Sequence, residues 1–153
     1  MIALIQRTDN ACVMVDEKIV GEIKNGLVVF LGVFKDDGES QCDWLARKTA
    51  NLRIFSDEND KMNLSLLNID GDALVISNFT LCADARKGTR PSYDKAMRPE
   101  QANKLYERFC EKLMENGVKN VQKGVFGAYM KVSVSNDGPI SVILDTEKIM
   151  PKN

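Results

Sequence analysis

The sequence contains no histidine. That absence removes the commonest general base and the commonest metal ligand together, and with them every Ser-His-Asp and Cys-His mechanism. The four cysteines, Cys12, Cys42, Cys82 and Cys110, lie far apart and form no C-x-x-C pair, which argues against a zinc ribbon or a dithiol redox motif. They read as buried free thiols in a reducing compartment. No apolar run approaches the roughly 18 residues of a membrane span, and Met1-Ile2-Ala3-Leu4-Ile5-Gln6-Arg7 lacks the basic, apolar and small-residue regions of a signal peptide. The expectation is a cytoplasmic chain with no membrane partner. Net charge is slight, −1 from 21 basic and 22 acidic residues, so any contact with nucleic acid has to be local. Nothing in the sequence marks a metal or cofactor site.

What is present has the make-up of one domain. With 44% hydrophobic and 28% charged residues over 153 positions, residues 1–153 can bury a sizeable core without staples and read as a single domain. Residues 2–7 and 11–16 alternate or run apolar, Val20 to Ile23 follows the Asp16-Glu17-Lys18 turn, and Leu27 to Val33 is a continuous apolar run after Asn25-Gly26. These predict a meander of antiparallel strands. Cys42, Leu45, Ala46, Thr49 and Leu52 fall on one helical face, and Ala73 to Phe79 reads as a buried strand after Asp70-Gly71-Asp72. A second helix is expected from Pro99, where proline suits the first turn, to a cap at Gly117, with Ala102, Leu105, Tyr106, Phe109, Cys110, Leu113 and Met114 at three-and-four spacing. Met130, Val132 and Val134, then Ile140 to Leu144, read as two last strands joined by a hairpin at Asn136-Asp137-Gly138-Pro139. The sum is a single α+β domain with a mostly antiparallel, barrel-like sheet and two packed helices.

Three segments could carry chemistry. Ser77 and Thr80 stand where a buried strand gives way to a polar loop, and their hydroxyls either serve a reaction or satisfy loose backbone groups. The segment from Asp84 to Arg98 holds Arg86, Lys87, Arg90, Lys95 and Arg98 against Asp84 and Asp94, which suits either a phosphate-binding patch or a solvated loop. Asn136-Asp137-Gly138-Pro139 is a turn on sterics alone, with a cis Gly138-Pro139 bond as the sharper alternative. Trp44 and Tyr106 sit on helices and read as packing residues.

Taken in order, these segments resemble the D-aminoacyl-tRNA deacylase family along nearly the whole chain. The likeness begins with Ile5-Gln6-Arg7 and Gly26-Leu27 and continues through Asn51-Leu52-Arg53-Ile54-Phe55. It carries on through Ser77-Asn78-Phe79-Thr80-Leu81, Arg86-Lys87-Gly88 and Arg90-Pro91-Ser92, and closes with Phe126-Gly127-Ala128-Tyr129-Met130 and Asn136-Asp137-Gly138-Pro139. Two segments match the family's functional motifs imperfectly. Asn78 stands where the family usually has Gln, Ser141 where it usually has Thr, and Cys82 replaces a commoner aromatic. The resemblance implies a homodimer with pockets at the interface, each receiving the Gly138-Pro139 turn of the opposite subunit with that bond cis. It also implies that the turn's carbonyls hold the substrate amino group and crowd out an L side chain. Ser77, Phe79 and Thr80 would then surround the scissile ester, with Asn78, Met130 and Asn136 binding substrate and Arg86, Lys87 and Arg90 meeting tRNA. The implied substrates are D-aminoacyl-tRNA and glycyl-tRNA, with no cofactor. Two other readings stand beside it: a paralogous deacylase of L-alanyl-tRNA with a trans Gly-Pro turn, and a catalytically idle tRNA-binding module.

Overall fold

Two strands with both faces buried form the spine of the structure, a computed structural model that describes residues 1–152. In β3 (Gly26–Gly32), Leu27, Val29 and Leu31 face one apolar cluster, while Val28 and Phe30 face another. β6 (Asp72–Ser77) divides the same way, with Ala73 and Val75 on the first side and Leu74 and Ile76 on the second. Strands buried on both faces lose the apolar-polar alternation and read as continuous apolar runs. β3 and β6 pair in parallel from Gly26↔Asp72 to Leu31↔Ser77, and β6 pairs in parallel with the short β7 (Val121–Lys123). The parallel pairs are a departure from the antiparallel meander expected of the sequence, although antiparallel pairings remain the majority.

β1 (Ile2–Val15) is one strand rather than the two that the sequence suggests, and it organises the rest of the sheet. One edge pairs antiparallel with β3 through residues 2–8 and with β2 (Lys18–Ile23) through residues 11–15. Its other partner is β8 (Lys131–Asp145), antiparallel from Ile2↔Asp145 to Met14↔Lys131. Between Thr8↔Asn136 and Asn10↔Ser135, β1 advances two residues while β8 advances one. The extra residue inverts which side chains face inward, because facing alternates with period two. Ala3 and Ile5 therefore join the first cluster, and Ala11 and Val13 join the second. The fully buried Thr8 stitches the bulge: its hydroxyl meets the Ser135 carbonyl at 2.7 Å and accepts the Asn10 N–H at 3.2 Å.

The sheet order is β2-β1-β3-β6-β7, with β8 on the far side of β1, and β2 curls back to meet β6 and β7. A nearly closed, barrel-like sheet results. The helices α1 (Glu39–Ala50) and α2 (Pro99–Glu115) pack on each other and cover the first cluster. Arg108 of α2 forks onto Asp43 of α1 at 2.7 and 2.8 Å, and that hydrogen bonding holds the Asp43 carboxyl below its usual value. Pro99 does open α2. Gly117, with φ +107, closes it: its N–H reaches the Met114 carbonyl at 2.9 Å, and that of Val118 reaches Leu113 at 3.1 Å, the paired bonds of a Schellman ending.

Several expectations need correction. A third, four-residue helix, α3 (Thr146–Ile149), follows β8; the short β4 (Phe55–Ser56) and β7 lie where the sequence showed no strand pattern, and β5 (Met62–Leu64) falls in the segment 62–69, which the sequence leaves ambiguous. Residues 130–144 do not form a hairpin. Both halves run in the same direction along β1, and the Asn-Asp-Gly-Pro segment is a bulge in which β8 advances from Asn136 to Ser141 while β1 steps only from Thr8 to Gln6. Residues that favour turns favour such an excursion for the same steric reasons. Cys42, Cys82 and Cys110 are buried free thiols, but Cys12 is only half-buried. Burial pushes the thiols of Cys42 and Cys110 up to about 12. Among the described residues no helix is long and apolar enough to cross a membrane.

The β3–β6 pairing depends on Gly26, where an added Cβ would lie 1.9 Å from the Asp72 carbonyl oxygen and 2.8 Å from its nitrogen. These atoms are all Asp72 backbone, which leaves no flexible side-chain end to yield. Gly26→Ala should therefore destabilise the fold by about 3 kcal/mol, toward the upper end for overpacking. Denaturant unfolding measures it, and a loss under about 0.5 kcal/mol, the range of surface substitutions, would disprove the close approach.

Candidate active site

β6 ends at Ser77, and the chain then enters a 3₁₀ turn over Phe79–Cys82. Asn78 extends the parallel ladder one step further, its N–H donating to the Leu31 carbonyl at 2.8 Å. The turn can lie flat on the sheet because β3 ends in glycine. A Cβ at Gly32 would meet Ile2 Cγ2 at 2.8 Å, Leu81 Cβ at 3.0 Å and Cys82 Sγ at 3.2 Å. Behind the turn, the Cys82 thiol is pushed up to about 11, first by burial and then by the nearby Asp37 carboxylate.

Ser77, Asn78, Phe79 and Thr80 line one wall of a cavity of about 870 Å³, and Met130 lines another. Met130 fits because residue 124 is glycine: a Cβ there would sit 2.5 Å from the Met130 sulfur. Below them the Val75 carbonyl accepts the Tyr106 hydroxyl at 2.8 Å and the Gly124 N–H at 3.2 Å, tying β6 to α2 and to the loop before Met130. Burial raises the Tyr106 hydroxyl far above its usual value. At the mouth Phe79, 59% exposed, meets Tyr93 edge-on with ring centres 5.1 Å apart.

The electrostatics of this cavity are set by what its lining lacks, since it includes no carboxylate, thiol, ammonium or imidazole. The polar groups it offers are fixed dipoles and hydroxyls, with the Arg98 guanidinium as the one charged group in the lining. Thr80 donates its hydroxyl proton to the Asn78 side-chain oxygen, so what remains available at Thr80 is an acceptor oxygen. Ser77 is different, since its hydroxyl has no partner among the described residues. The N–H groups of Phe79 and Thr80, at the start of the 3₁₀ turn, likewise have no acceptor among the described residues.

Asn136, Gly138 and Pro139 do not line this cavity. They lie in the β8 bulge, where the Gly138-Pro139 bond is cis. Side chains brace the bulge from several directions. Arg7 donates from Nε to the Asp137 carbonyl at 3.0 Å and from Nη1 to the Ile54 carbonyl at 3.0 Å. The Asn136 amide oxygen accepts the Ile140 N–H at 3.0 Å, while its nitrogen reaches the Ser141 hydroxyl at 3.3 Å, a distance that the Gln6 amide matches. Serine at 141 thus supplies the hydroxyl that the usual threonine would.

A family model described as D-Tyr-tRNA(Tyr) deacylase matches residues 4–145 of the chain. The chain belongs to this deacylase family. Relatives named D-aminoacyl-tRNA deacylase from Thermotoga petrophila and Clostridioides difficile are 52% and 51% identical to it, each alignment covering 97% of this chain and 99% of the relative. Among solved structures, one titled c-Myc DNA Unwinding Element Binding Protein superposes with a TM-score of 0.90 at 35% identity, covering 95% of this chain and 98% of that one. A second, titled as a probable eukaryotic D-amino acid tRNA deacylase, superposes with a TM-score of 0.83 over 94% of this chain and 97% of that one. At 16% identity that likeness speaks to fold alone.

The candidate residues fall into three places. Ser77, Asn78, Phe79, Thr80 and Met130 meet at the cavity, and Asn136, Gly138 and Pro139 stand together on β8. The cations are dispersed. Arg86 lines a different cavity, of about 1250 Å³, and clamps Asp84 from Nε at 2.9 Å and Nη2 at 2.5 Å, holding that carboxyl well below its usual range. Lys87 and Arg90 line neither cavity and flank the exposed tip at Gly88, whose φ is +66. Sequence reasoning missed Tyr93, Met97, Arg98 and Phe126 as cavity residues and read Tyr106 as packing alone. The family segment Phe126 to Met130 was the available signal for Phe126, but nothing in spacing marked Tyr93 or Met97.

Proposed function

We propose that this chain hydrolyses the ester joining a D-amino acid to the 3′-terminal adenosine of tRNA. The observation that carries the reading, beside family membership, is a cavity furnished with unpartnered N–H donors and hydroxyls but no carboxylate, imidazole, thiol or amine to act as general acid or base. Such a set suits an already activated acyl group. A water oxygen attacks the ester carbonyl carbon, and the N–H groups of Phe79 and Thr80 stabilise the oxyanion. The tetrahedral intermediate then collapses, breaking the bond to the ribose oxygen, which takes up a proton. The vicinal ribose hydroxyl positions or activates the water, supplying from the substrate what the protein lacks. Thr80, its proton engaged by Asn78, orients the substrate or water and is not the nucleophile.

The separation of the bulge from the cavity supports a homodimer. Asn136, Gly138 and Pro139 touch no part of their own chain's cavity, so for them to act on substrate they enter that of a second copy. In the assembled site the Gly138-Pro139 carbonyls hold the substrate ammonium and occupy the space of an L side chain. Arg86, Lys87 and Arg90 remain candidates for tRNA contact, with Arg86 the weakest because Asp84 already neutralises it.

Three measurements bear on this reading. Thr80→Ala should retain hydrolysis well above the uncatalysed rate, losing no more than the roughly 100-fold typical of one transition-state contact. Its pH profile from pH 5 to 8.5 should keep the single inflection of the substrate's own amino group. An acyl-Thr80 adduct, or a second inflection belonging to the protein, would overturn the mechanism. A subunit altered at Gly138 and Pro139, mixed with one altered at Ser77 and Thr80, should recover activity through one intact hybrid pocket. Heterodimers that form but stay inactive would refute the shared site.

The third measurement concerns chirality. Selection by exclusion cannot reject glycine, which has no side chain to collide. Glycyl-tRNA and D-alanyl-tRNA should both be deacylated while L-alanyl-tRNA is spared. Survival of glycyl-tRNA at enzyme levels that strip D-alanyl-tRNA would show positive recognition of the D side chain. Cleavage of L-alanyl-tRNA would favour the paralogous activity, and cleavage of none the idle module.

A further inference from the structure

Five cations lie between Asp84 and Arg98, and the structure separates them by what they face. Arg86 and Lys95 line the other cavity and approach Asp84, at 2.5 and 3.8 Å. Lys87 and Arg90 line neither cavity. Arg98 alone lines the cavity of Ser77 to Thr80, where it is the only basic residue, opposed by no acid in the lining. Its side chain is exposed and makes no ion pair or hydrogen bond among the described residues. The nearest acid in sequence, Glu100, turns instead toward Lys104 at 3.9 Å.

The backbone beneath Arg98 is well anchored. The Met97 N–H donates to the Val33 carbonyl at 2.9 Å, tying the segment to the end of β3, and the Arg98 carbonyl accepts the Ala102 N–H at 2.9 Å as α2 begins. An unpaired guanidinium on a fixed backbone, at the rim of an otherwise uncharged cavity, is suited to a phosphate oxygen. We infer that Arg98 binds the phosphodiester linking the terminal adenosine of the tRNA to the nucleotide before it. This rests on the proposed deacylase reading and adds a tRNA-binding residue to it. The neutral cavity takes the aminoacyl-adenosine, and Arg98 takes the first charge of the strand that follows.

The test compares two substrates that differ in that phosphate, D-alanyl-tRNA and the D-alanyl ester of adenosine. Arg98→Gln should raise KM for the tRNA about tenfold, a typical loss for one charged contact, with kcat little changed. The dependence of log(kcat/KM) on log salt should become shallower by about 0.7, the contribution of one phosphate on a single strand. Arg98→Lys should keep the salt slope, and Lys48→Gln, which removes an exposed charge on α1, should change nothing. On the adenosine ester Arg98→Gln should match the wild type, which also reports that the variant is folded. Equal losses on both substrates, or an unchanged salt slope on the tRNA, would overturn the assignment. A wild-type protein inert toward both would instead overturn the deacylase reading, and the role of Arg98 with it.

Discussion

The buried parallel pairing of β3 with β6 decides where the rest of the site can be. Its register runs from Gly26↔Asp72 to Leu31↔Ser77 and is prolonged by the Asn78 N–H on the Leu31 carbonyl, so the chain leaves the sheet at a fixed height. Ladder bonds on a strand with both faces buried cannot slip by one residue without turning every apolar side chain to the wrong cluster. Ser77 therefore stands at the end of a rigid strand. The 3₁₀ turn after it lies on Gly32, and the two walls opposite, α2 and the Gly124 loop, are both fastened to the same Val75 carbonyl. The cavity is thus referenced to one strand on several sides, which is the pre-organisation that fixed dipoles need.

The two long helices and the buried strands were legible because their signals are local. The apolar spacing of Ala102, Leu105, Tyr106, Phe109 and Leu113, with Pro99 and Gly117 at the ends, is enough to bound α2. What failed was the reading of interruptions. Asp9 and the Asn136 to Pro139 segment each break a period-two pattern, and a break has the same chemistry whether the chain reverses or merely inserts residues. The sequence around Thr8 cannot reveal that β8 holds β1 straight across the gap. Parallel pairing of β3 with β6 was equally invisible, since the 39 residues between Gly32 and Asp72 carry the crossover and leave no mark on either strand. The motif residues were legible only by family likeness. Spacing alone does not say that Ser77 to Thr80 and Asn136 to Pro139 would fall in separate places.

Asn78 shows how a departure from the family pattern can be absorbed. One methylene shorter than the usual glutamine, its amide oxygen meets the Thr80 hydroxyl two residues on, where the turn already brings it close. The bond removes the Thr80 proton from contention and fixes the hydroxyl's direction. A hydroxyl so held, with no base in the lining to deprotonate it, is poorly placed to attack and well placed to accept.

A site with so little acid-base chemistry has to draw its rate from elsewhere, and the magnitudes permit it. One oxyanion donor is worth roughly 10²–10³ in rate, so two acting together could supply on the order of 10⁴ even with incomplete additivity. An adjacent substrate hydroxyl spares the entropy of recruiting a catalytic group, because it arrives already attached. The division of labour proposed across two subunits follows the same economy. In that proposal the cavity wall would supply dipoles aimed at the reacting carbonyl, and the bulge on β8, braced by Arg7, Gln6 and Asn136, would supply a rigid backbone obstacle. Rejecting a side chain requires no catalytic group, only an obstacle that does not move, and hydrogen bonds from β1 to both flanks of the bulge provide that rigidity. With the donors on one chain and the obstacle on the other, an undimerised subunit would hold the donors without the obstacle, so in this proposal the rejection of L side chains depends on dimerisation.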